Sequence, residues 1–323
     1  MKPMTRIHTL TRRDWLKITG LATLATPFAS LGTDDLRVKA KKNLKLAVFT
    51  GVYAALPLEE AVKRIKADGF SGAVVEYVFA DVRFDPFAPD WEAAKKIKDS
   101  FDRQGIKIVG LYGYYNVVAP DPEKRRRGEA RMNFLLENWR RLGSNNISTE
   151  TSSFNPQSEW ADSPENATEK AYQECRRSLE KLARTAEKTG AVISLEPYWK
   201  NVISSAERAE RLFRDIPSPA LKLVMDPCNY FRKEDLPRMK PMLEDLFRRV
   251  GKQTVVAHAK DVKAAPTADD TELPAAGKGV LDYPLYLRLL AGLDRELYLA
   301  VEHLTLDDVA RARDYVLSQL DKV

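Results

Sequence analysis

Short apolar runs and longer amphipathic stretches follow one another in a regular order along this chain. "LKLAVFTGVY" (44–53) has the apolar density of a buried strand. "PLEEAVKRIKADG" (57–69) opens with proline and acidic residues, repeats apolar residues at helical spacing and stops at glycine. The same pairing recurs until "ELYLAVEHL" (296–304) and "LDDVARARDYVLSQL" (306–320). The pattern predicts eight consecutive strand–helix units.

The composition of the predicted strands indicates how they are arranged. They are short and almost wholly apolar, which is typical of a parallel sheet covered on both faces. A closed barrel of eight such units needs about 250 residues, and no linker or low-complexity segment divides the chain. A doubly wound open sheet is the alternative, but no glycine-rich nucleotide fingerprint follows the first strand. We therefore predict an α/β fold, a single-domain (β/α)₈ TIM barrel over residues 37–323.

The N-terminal segment, residues 1–36, is predicted to be a signal peptide with a short linker. Arg12 and Arg13 precede a weakly apolar, Ala- and Thr-rich stretch that is too short and too polar for a stable membrane anchor. The paired arginines resemble a twin-arginine signal, which predicts export through the twin-arginine translocation machinery to the periplasm or the medium. An ordinary amphipathic helix is the alternative.

The charge of the chain changes once this segment is set aside. The whole sequence carries +6, but residues 1–29 hold five basic residues and one acidic residue, so the remainder carries only +2. That small excess gives no support to nucleic-acid binding. Two cysteines, Cys175 and Cys228, fall in different predicted elements and imply no disulfide framework.

Four predicted strands of the second half end in a group that can bind a metal or move a proton. Glu196 ends "AVISLE", Asp226 ends "LKLVMD", His258 ends "QTVVAH" and Glu302 ends "LYLAVE". A buried unpaired charge is costly, so four in series need a common cause. In TIM barrels the carboxyl ends of the strands carry the active site. The sequence therefore predicts that these groups, on strands five to eight, converge at one side of the mouth.

This ligand set indicates one divalent ion. Three carboxylates and one imidazole suit Mn²⁺ best, with Mg²⁺, Co²⁺ or Zn²⁺ as alternatives, whereas a closed structural zinc site would favour thiolates. Taken singly, each acid has a second interpretation as a helix cap or an arginine partner. Their common position at strand ends favours the metal site.

The same residues carry a resemblance to a known family. "LEPYWKN" with Glu196, "MDPCN" with Asp226, "VAHAKDV" with His258, "GKGVLDY" (277–283) and "VEH" with Glu302 resemble, in order and spacing, the xylose-isomerase-like barrel superfamily. The likeness is to its sugar phosphate isomerase/epimerase and endonuclease-IV-like group and spans nearly all of residues 37–323.

The resemblance implies roles for the four residues. Glu196, Asp226, His258 and Glu302 would hold the ion, which binds the carbonyl and adjacent hydroxyl of a sugar. Glu196 and Glu302 would also be the catalytic acid/base pair, exchanging a proton with the carbon beside the carbonyl. In this scheme the ion stabilises the developing enediolate charge.

Two departures from the epimerase pattern affect the expected substrate. Ketose 3-epimerases of the group usually carry histidine where this chain has Asn229, and arginine where it has Ala264. In those epimerases both positions contact substrate hydroxyls, so the two departures weigh against a free ketohexose as the substrate. Lys260 could contact the substrate or form a salt bridge with Asp261 at the rim. An endonuclease would need several more histidines, and strand alternation turns His303 away from the ligand face.

Other polar residues near strand ends are candidates for substrate binding or for loop packing. They are Glu76, Tyr112, Tyr114, Asn116, Glu150, Trp199, Lys200 and Asn229. We expect an exported isomerase or epimerase acting on a small carbohydrate, with a lyase that cleaves keto-glycosides as the close alternative. A non-catalytic sugar-binding barrel is the third possibility. No nucleic-acid partner is expected, and a homo-oligomer is compatible with the sequence.

Overall fold

The computed structural model describes residues 33–266 and 268–323. The predicted twin-arginine motif and the apolar stretch after it lie outside these residues. Residues 33–323 form one compact unit. Within the described part of the chain, no helix has the length and apolar content needed to span a membrane.

Eight parallel strands close into a barrel, as the pattern of apolar runs predicts. In chain order they are β1 Leu44–Phe49, β2 Gly72–Val75, β3 Lys107–Tyr112, β4 Asn146–Glu150, β5 Val192–Glu196, β6 Leu221–Met225, β7 Thr254–Ala259 and β8 Leu297–Val301. Each strand pairs with its neighbours in sequence, and β1 closes the ring against β8. All the carboxyl ends therefore open at one rim.

Nine α-helices occur among the described residues, and those after the first connect and cover the strands. They are α1 Thr33–Asn43, α2 Leu58–Ala67, α3 Trp91–Gln104, α4 Pro122–Leu142, α5 Glu169–Thr189, α6 Ala206–Asp215, α7 Met239–Val250, α8 Tyr283–Ala291 and α9 Val309–Leu320. Asp90, Asp121, Thr168, Ser205 and Asp282 cap α3, α4, α5, α6 and α8 through their side-chain oxygens.

Small and branched residues fill the barrel interior below the rim. Ala47, Val74, Val109 and Ala300 form a buried cluster, and Phe49 and Tyr298 pack against it. A barrel of eight strands has room only for side chains inside. Side chains therefore fill the barrel below its carboxyl-terminal rim.

The elements differ from the sequence predictions mainly at their ends. Strand β2 stops at Val75, and Tyr77, two residues later, has a left-handed backbone with φ of 61°. The predicted first strand ends at Phe49 and continues as a 3₁₀ turn, Thr50–Tyr53. Helix α1 was not predicted and spans residue 37, the predicted start of the barrel domain. A short antiparallel pair between β7 and α8, Lys263–Ala264 with Thr271–Glu272, was also not predicted.

Candidate metal centre and substrate cavity

The four predicted ligands meet at the rim of the barrel. Glu196 is the last residue of β5, Asp226 and Glu302 directly follow β6 and β8, and His258 lies near the end of β7. One ligand atom from each residue lies within 4.8 Å of the others. His258 Nδ1 is 3.3 Å from Asp226 Oδ2, 3.3 Å from Glu302 Oε1 and 3.4 Å from Glu196 Oε1. The predicted convergence is therefore present.

Neighbouring groups orient these side chains toward a common point. The Cys228 amide donates to Asp226 Oδ1 at 3.1 Å, which leaves Oδ2 facing His258. Asn229 donates to Glu196 Oε1 at 2.7 Å, and the Tyr114 hydroxyl donates to Glu196 Oε2. Such supporting hydrogen bonds hold ligands in place before an ion arrives.

The residues fit a divalent metal ion. Asp226 Oδ2, Glu302 Oε1 and both ring nitrogens of His258 are buried and form no hydrogen bond. In folded proteins most buried polar atoms have a hydrogen-bond partner, so four atoms without one, clustered at a single point, indicate a site for a ligand. Two ligands that each lie about 2.1 Å from one ion are roughly 3.0–3.5 Å apart, and His258 Nδ1 keeps that spacing from all three carboxylates. An oxygen-rich set with one imidazole suits Mn²⁺, Mg²⁺ or Zn²⁺.

The ammonium of Lys260 also lies in this centre. Lys260 is buried, and its Nζ is 2.7 Å from Asp226 Oδ2, 2.8 Å from Glu302 Oε1 and 3.6 Å from Glu196 Oε1. The rim salt bridge to Asp261 is not what the structure shows. Strand alternation turns Lys260 to the same side as His258 and turns Asp261 to the opposite side.

The charges of neighbouring groups together outweigh burial in setting the pKa values of His258 and Glu302. Burial alone would lower the pKa of His258, but the carboxylates of Glu302 and Glu196 raise it well above 6.5. Burial would likewise raise the pKa of Glu302, yet His258 and Lys260 lower it well below 4.5. Glu196 and Glu302 are therefore ionised at neutral pH, as carboxylate ligands of a metal must be, whereas burial raises the pKa of Asp226.

A cavity of about 570 Å³ opens above the centre. Glu196, Glu302, Asn229 and Lys260 are at its base. Five aromatic side chains line it: Phe49, Tyr112, Tyr114, Trp160 and Tyr198. Flat aromatic faces with a few polar groups between them suit the apolar and hydroxylated faces of a sugar ring.

Some residues predicted to bind substrate lie in this cavity and some do not. Glu76, Tyr112, Tyr114, Asn229 and Lys260 line it. At Gly51 any side chain would meet Glu76, because a Cβ there would lie 2.3 Å from Glu76 Oε1. Backbone and carboxylate approach closely at that point, which only glycine permits.

Glu150, Lys200, Trp199 and Asn116 are placed elsewhere. Glu150 is buried beside Glu196 in the β4–β5 ladder, outside the described cavity wall. Lys200 pairs with Asp270 and lies over the Trp199 ring, and neither Lys200 nor Trp199 is among the described residues of the wall. Asn116 donates to the Ser153 carbonyl and lines a second pocket.

Several wall residues were not predicted from the sequence. Phe49 and Leu273 line the cavity, as do Trp160 and Tyr198, and His303 lies at its exposed rim. His303 is outside the ligand set, as strand alternation predicts, and its backbone is left-handed with φ of 55°. Trp160 is 42% exposed, and a tryptophan within the polar segment "NPQSEWADSP" (155–164) was a usable signal in the sequence.

Left-handed residues occur at a repeated place around the rim. Tyr77, Ser152 and His303 each lie two residues after the end of a barrel strand, and each has φ between 55° and 61°. Non-glycine residues adopt this conformation at a cost of about 1–3 kcal/mol and concentrate at functional sites. Of the three, His303 lines the cavity, whereas Tyr77 and Ser152 are buried outside its described wall.

Comparison with known proteins places this geometry in context. No curated protein sequence matches the chain significantly. Among solved structures, a D-tagatose 3-epimerase-like protein matches with a TM-score of 0.67 and 16% identity, over 86% of this chain and 98% of its own. The 3-keto-D-glucoside 4-epimerase of E. coli matches with a TM-score of 0.60 and 19% identity, over 87% and 99% of the two chains.

A metal-containing structure is also similar. A xylose isomerase-like TIM barrel protein from Mycobacterium smegmatis, in complex with magnesium, matches with a TM-score of 0.63 and 16% identity, over 88% of this chain and 98% of its own. At these identities the likeness establishes the shared fold. The sequence itself matches the family model described as "Xylose isomerase-like TIM barrel" over residues 60–316. That match covers most of the chain, and the protein therefore belongs to the xylose isomerase-like TIM barrel family.

Proposed function

We propose that the protein is a divalent-metal-dependent isomerase or epimerase that removes a proton next to a carbonyl group of a sugar or sugar derivative. The observation that carries the proposal is the convergence of Glu196, Asp226, His258 and Glu302 within 4.8 Å at the base of an aromatic-lined cavity. Structures of the same fold include epimerases, and one similar protein binds magnesium.

The residues serve as metal ligands and as proton carriers, and two of the glutamates serve as both. Glu196, Asp226, His258 and Glu302 would hold the ion, with Mn²⁺ as the proposed native metal. When bound, the ion supplies Lewis acidity that stabilises negative charge on the carbonyl and adjacent hydroxyl oxygens of the substrate. Lys260 lies beside the same carboxylates and in the cavity wall, so its ammonium can donate a hydrogen bond to one of these substrate oxygens.

Glu196 and Glu302 are the proposed acid and base. They approach the cavity from β5 and from the end of β8 and both line its wall. One carboxylate would take the proton from the carbon beside the carbonyl, and either the same or the opposite carboxylate would return it. Tyr114 and Asn229 hold Glu196 at the carboxylate oxygens, which orients this group toward the substrate.

Hydrogen exchange in deuterated water tests this proposal. The Mn²⁺-loaded protein is mixed with free ketoses and with keto-glycosides, and deuterium incorporation at carbon is followed by NMR. We expect incorporation with the wild type and a loss of about 10³-fold or more in Glu196→Gln and in Glu302→Gln. Glu150→Gln is the matched control, because it replaces a neighbouring buried carboxyl group that is not part of the described cavity wall. A wild type that retains no metal after purification, and that shows no exchange when Mn²⁺ is supplied, would favour a non-catalytic binding barrel.

A lyase that cleaves keto-glycosides is the second candidate. A polar pocket of about 410 Å³, lined by Asn116, Asn155 and Gln157 among others, shares the Tyr114 side chain with the main cavity. It offers space for the group attached to a glycoside, and the E. coli structure is that of an enzyme named for a 3-keto-D-glucoside. In the same experiment, release of the attached group would identify the lyase, whereas exchange without cleavage would identify the isomerase or epimerase.

The cellular location is a separate part of the proposal. We propose export by the twin-arginine route, on the basis of Arg12 and Arg13 in the N-terminal segment. Fractionation of cells that express the wild type or the Arg12→Lys, Arg13→Lys variant tests it. Retention of the variant inside the cell is expected, and equal export of both proteins would refute this route.

A further inference from the structure

Lys260 occupies an unusual place for a lysine. It directly follows β7, two residues after His258, and it is only 3% exposed. Its neighbour Asp261 is engaged elsewhere, accepting from the amides of Val262 and Leu281 at 2.9 Å and of Gly277 at 3.0 Å. The ammonium of Lys260 is therefore left to the metal centre.

Lys260 contacts the same oxygen atoms that would bind the ion. Asp226 Oδ2 and Glu302 Oε1 each lie 3.3 Å from His258 Nδ1 and within 2.7–2.8 Å of Lys260 Nζ. Neither oxygen has an aligned hydrogen bond, so the contacts with Lys260 are electrostatic. A carboxylate oxygen offers two lone pairs, and the ammonium and a metal ion would draw on the same two oxygens.

The charge of the centre follows from these residues. Glu196, Asp226 and Glu302 contribute three negative charges, and Lys260 contributes one positive charge. Within the described part of the chain, no other lysine or arginine forms an ion pair with these carboxylates. Because a bound ion displaces the proton of a His ligand, His258 is neutral in the metal-bound state. The centre then contributes a net charge of minus two, which one divalent ion neutralises. Without Lys260 it would carry minus three.

We propose that Lys260 sets the charge of the metal centre, so that the centre binds one divalent ion with restrained affinity and discriminates against cations of higher charge. The proposal rests on the metal centre proposed above. The physical basis is that buried charge must be compensated and that the number of charged ligands tunes cation affinity. Lys260 is a positioning residue in this role, because it acts on the ion through the shared carboxylates.

Coulomb's law makes the expected effect specific. The repulsion between the ammonium and an ion is proportional to the charge of the ion. Removing the ammonium should therefore raise the affinity for a trivalent ion by a factor whose logarithm is about one and a half times that for a divalent ion. A purely steric role of Lys260 would change both affinities by the same factor.

Calorimetric titration of the full-length protein with Mn²⁺ and with Tb³⁺ tests the proposal. In Lys260→Met we expect about tenfold or more tighter Mn²⁺ binding and a larger gain for Tb³⁺. Lys260→Arg keeps the charge and should retain the wild-type preference between the two ions. Lys200→Met removes a largely buried ammonium that pairs with Asp270 outside the centre, and it should change neither affinity.

A compensated variant covers the case in which Lys260→Met does not fold with its excess negative charge. Lys260→Met combined with Glu302→Gln returns the centre to minus two and should restore the wild-type ratio of Tb³⁺ to Mn²⁺ affinity. Unchanged or weaker binding in Lys260→Met, equal gains for both ions, or a ratio in the compensated variant that departs from wild type would overturn the role of Lys260. Absence of binding in the wild type would instead overturn the metal centre itself.

Discussion

The two halves of the barrel mouth use the same kind of residue differently. In the ligand half, the ends of β5 to β8, each strand presents one group to a common centre. In the aromatic half, the ends of β1 to β4, the acids Glu76 and Glu150 do not belong to the ligand cluster. Tyr112 and Tyr114 lie in the same half. An acidic residue at the end of a buried strand can therefore either join the ligand cluster or stay apart from it. The groups around it determine which of the two occurs.

Glu150 and Glu196 show the difference most directly, because they are paired in the β4–β5 ladder. Glu196 has Tyr114, Asn229, His258 and Lys260 around it, and the positive neighbours outweigh burial and lower its pKa. Glu150 accepts one hydrogen bond from Ser152, and its Oε2 has no partner. Burial therefore raises the pKa of Glu150 to about 8. Two adjacent carboxyl groups are held in opposite protonation states at neutral pH.

The largest expected contrast between the halves is in metal affinity. Replacing a ligand should cost more than the 10–100-fold that loss of a supporting residue typically costs, so His258→Ala should weaken Mn²⁺ binding about a thousandfold. Glu76→Gln, in the aromatic half, should leave it within about threefold. Calorimetric titration measures both. Equal effects of the two substitutions would mean that the ion is not held by the ligand half alone.

The protonation contrast predicts a pH-dependent gain in stability for Glu150→Gln. Because the folded protein keeps this proton up to about pH 8 while the unfolded chain releases it near pH 4.5, Glu150 lowers the stability of the wild type progressively as pH rises between these values. The variant should be about as stable as the wild type at pH 4.5 and about 2–4 kcal/mol more stable at pH 9.

Denaturant titrations at pH 4.5, 7 and 9 measure that difference. Glu137→Gln, at an exposed position of α4, is the matched control and should show no trend with pH. A Glu150→Gln variant whose stability follows the wild type at all three values would show that Glu150 is ionised like Glu196, and the contrast would be lost.

The sequence predicted the four ligands better than the aromatic wall of the cavity, for a physical reason. Glu196, Asp226, His258 and Glu302 each follow an apolar run directly, and a closed parallel barrel brings such strand ends together whatever the loops do. The aromatic wall depends on loop conformation, so Trp160 and Tyr198 were not predicted. Their positions follow from the turns after β4 and β5, which local sequence does not determine.

Lys260 and Glu150 show a second limit of sequence reasoning. Alternation along β7 predicts that Lys260 lies on the same side as His258. Only the structure shows that Asp261 is not the partner of Lys260, because Asp261 accepts hydrogen bonds from three backbone amides instead. Glu150 was a candidate for substrate binding because it ends a strand at the barrel mouth. In the structure it is buried and is not part of the described cavity wall. The position of a residue in a strand predicts which way its side chain points, but the packing around it determines whether a substrate can reach it.

A smaller effect should follow from the hydroxyl group that supports Glu196. Tyr114→Phe removes the donor to Glu196 Oε2, and a carboxylate that loses a donor has a higher pKa. The exchange rate should fall about tenfold, and the acid limb of its pH profile should move to higher pH. Tyr112→Phe is the control, since Tyr112 also lines the cavity but does not donate a hydrogen bond to Glu196 in the structure. An unshifted limb would mean that the hydroxyl serves only packing.

The smallest expected effect concerns Lys200, which the sequence placed among the substrate-binding residues of the ligand half. Its ammonium pairs with Asp270 and lies over Trp199, and the pair is partly solvent-accessible, so Lys200→Met should cost at most about 1 kcal/mol in the free energy of unfolding. Because Lys200 is not part of the described cavity wall, KM and Mn²⁺ affinity should both stay at wild-type values. A rise in KM of about tenfold or more, with kcat unchanged, would mean that Lys200 binds substrate after all. The substrate-binding part of the ligand half would then have to include the loop that carries Asp270.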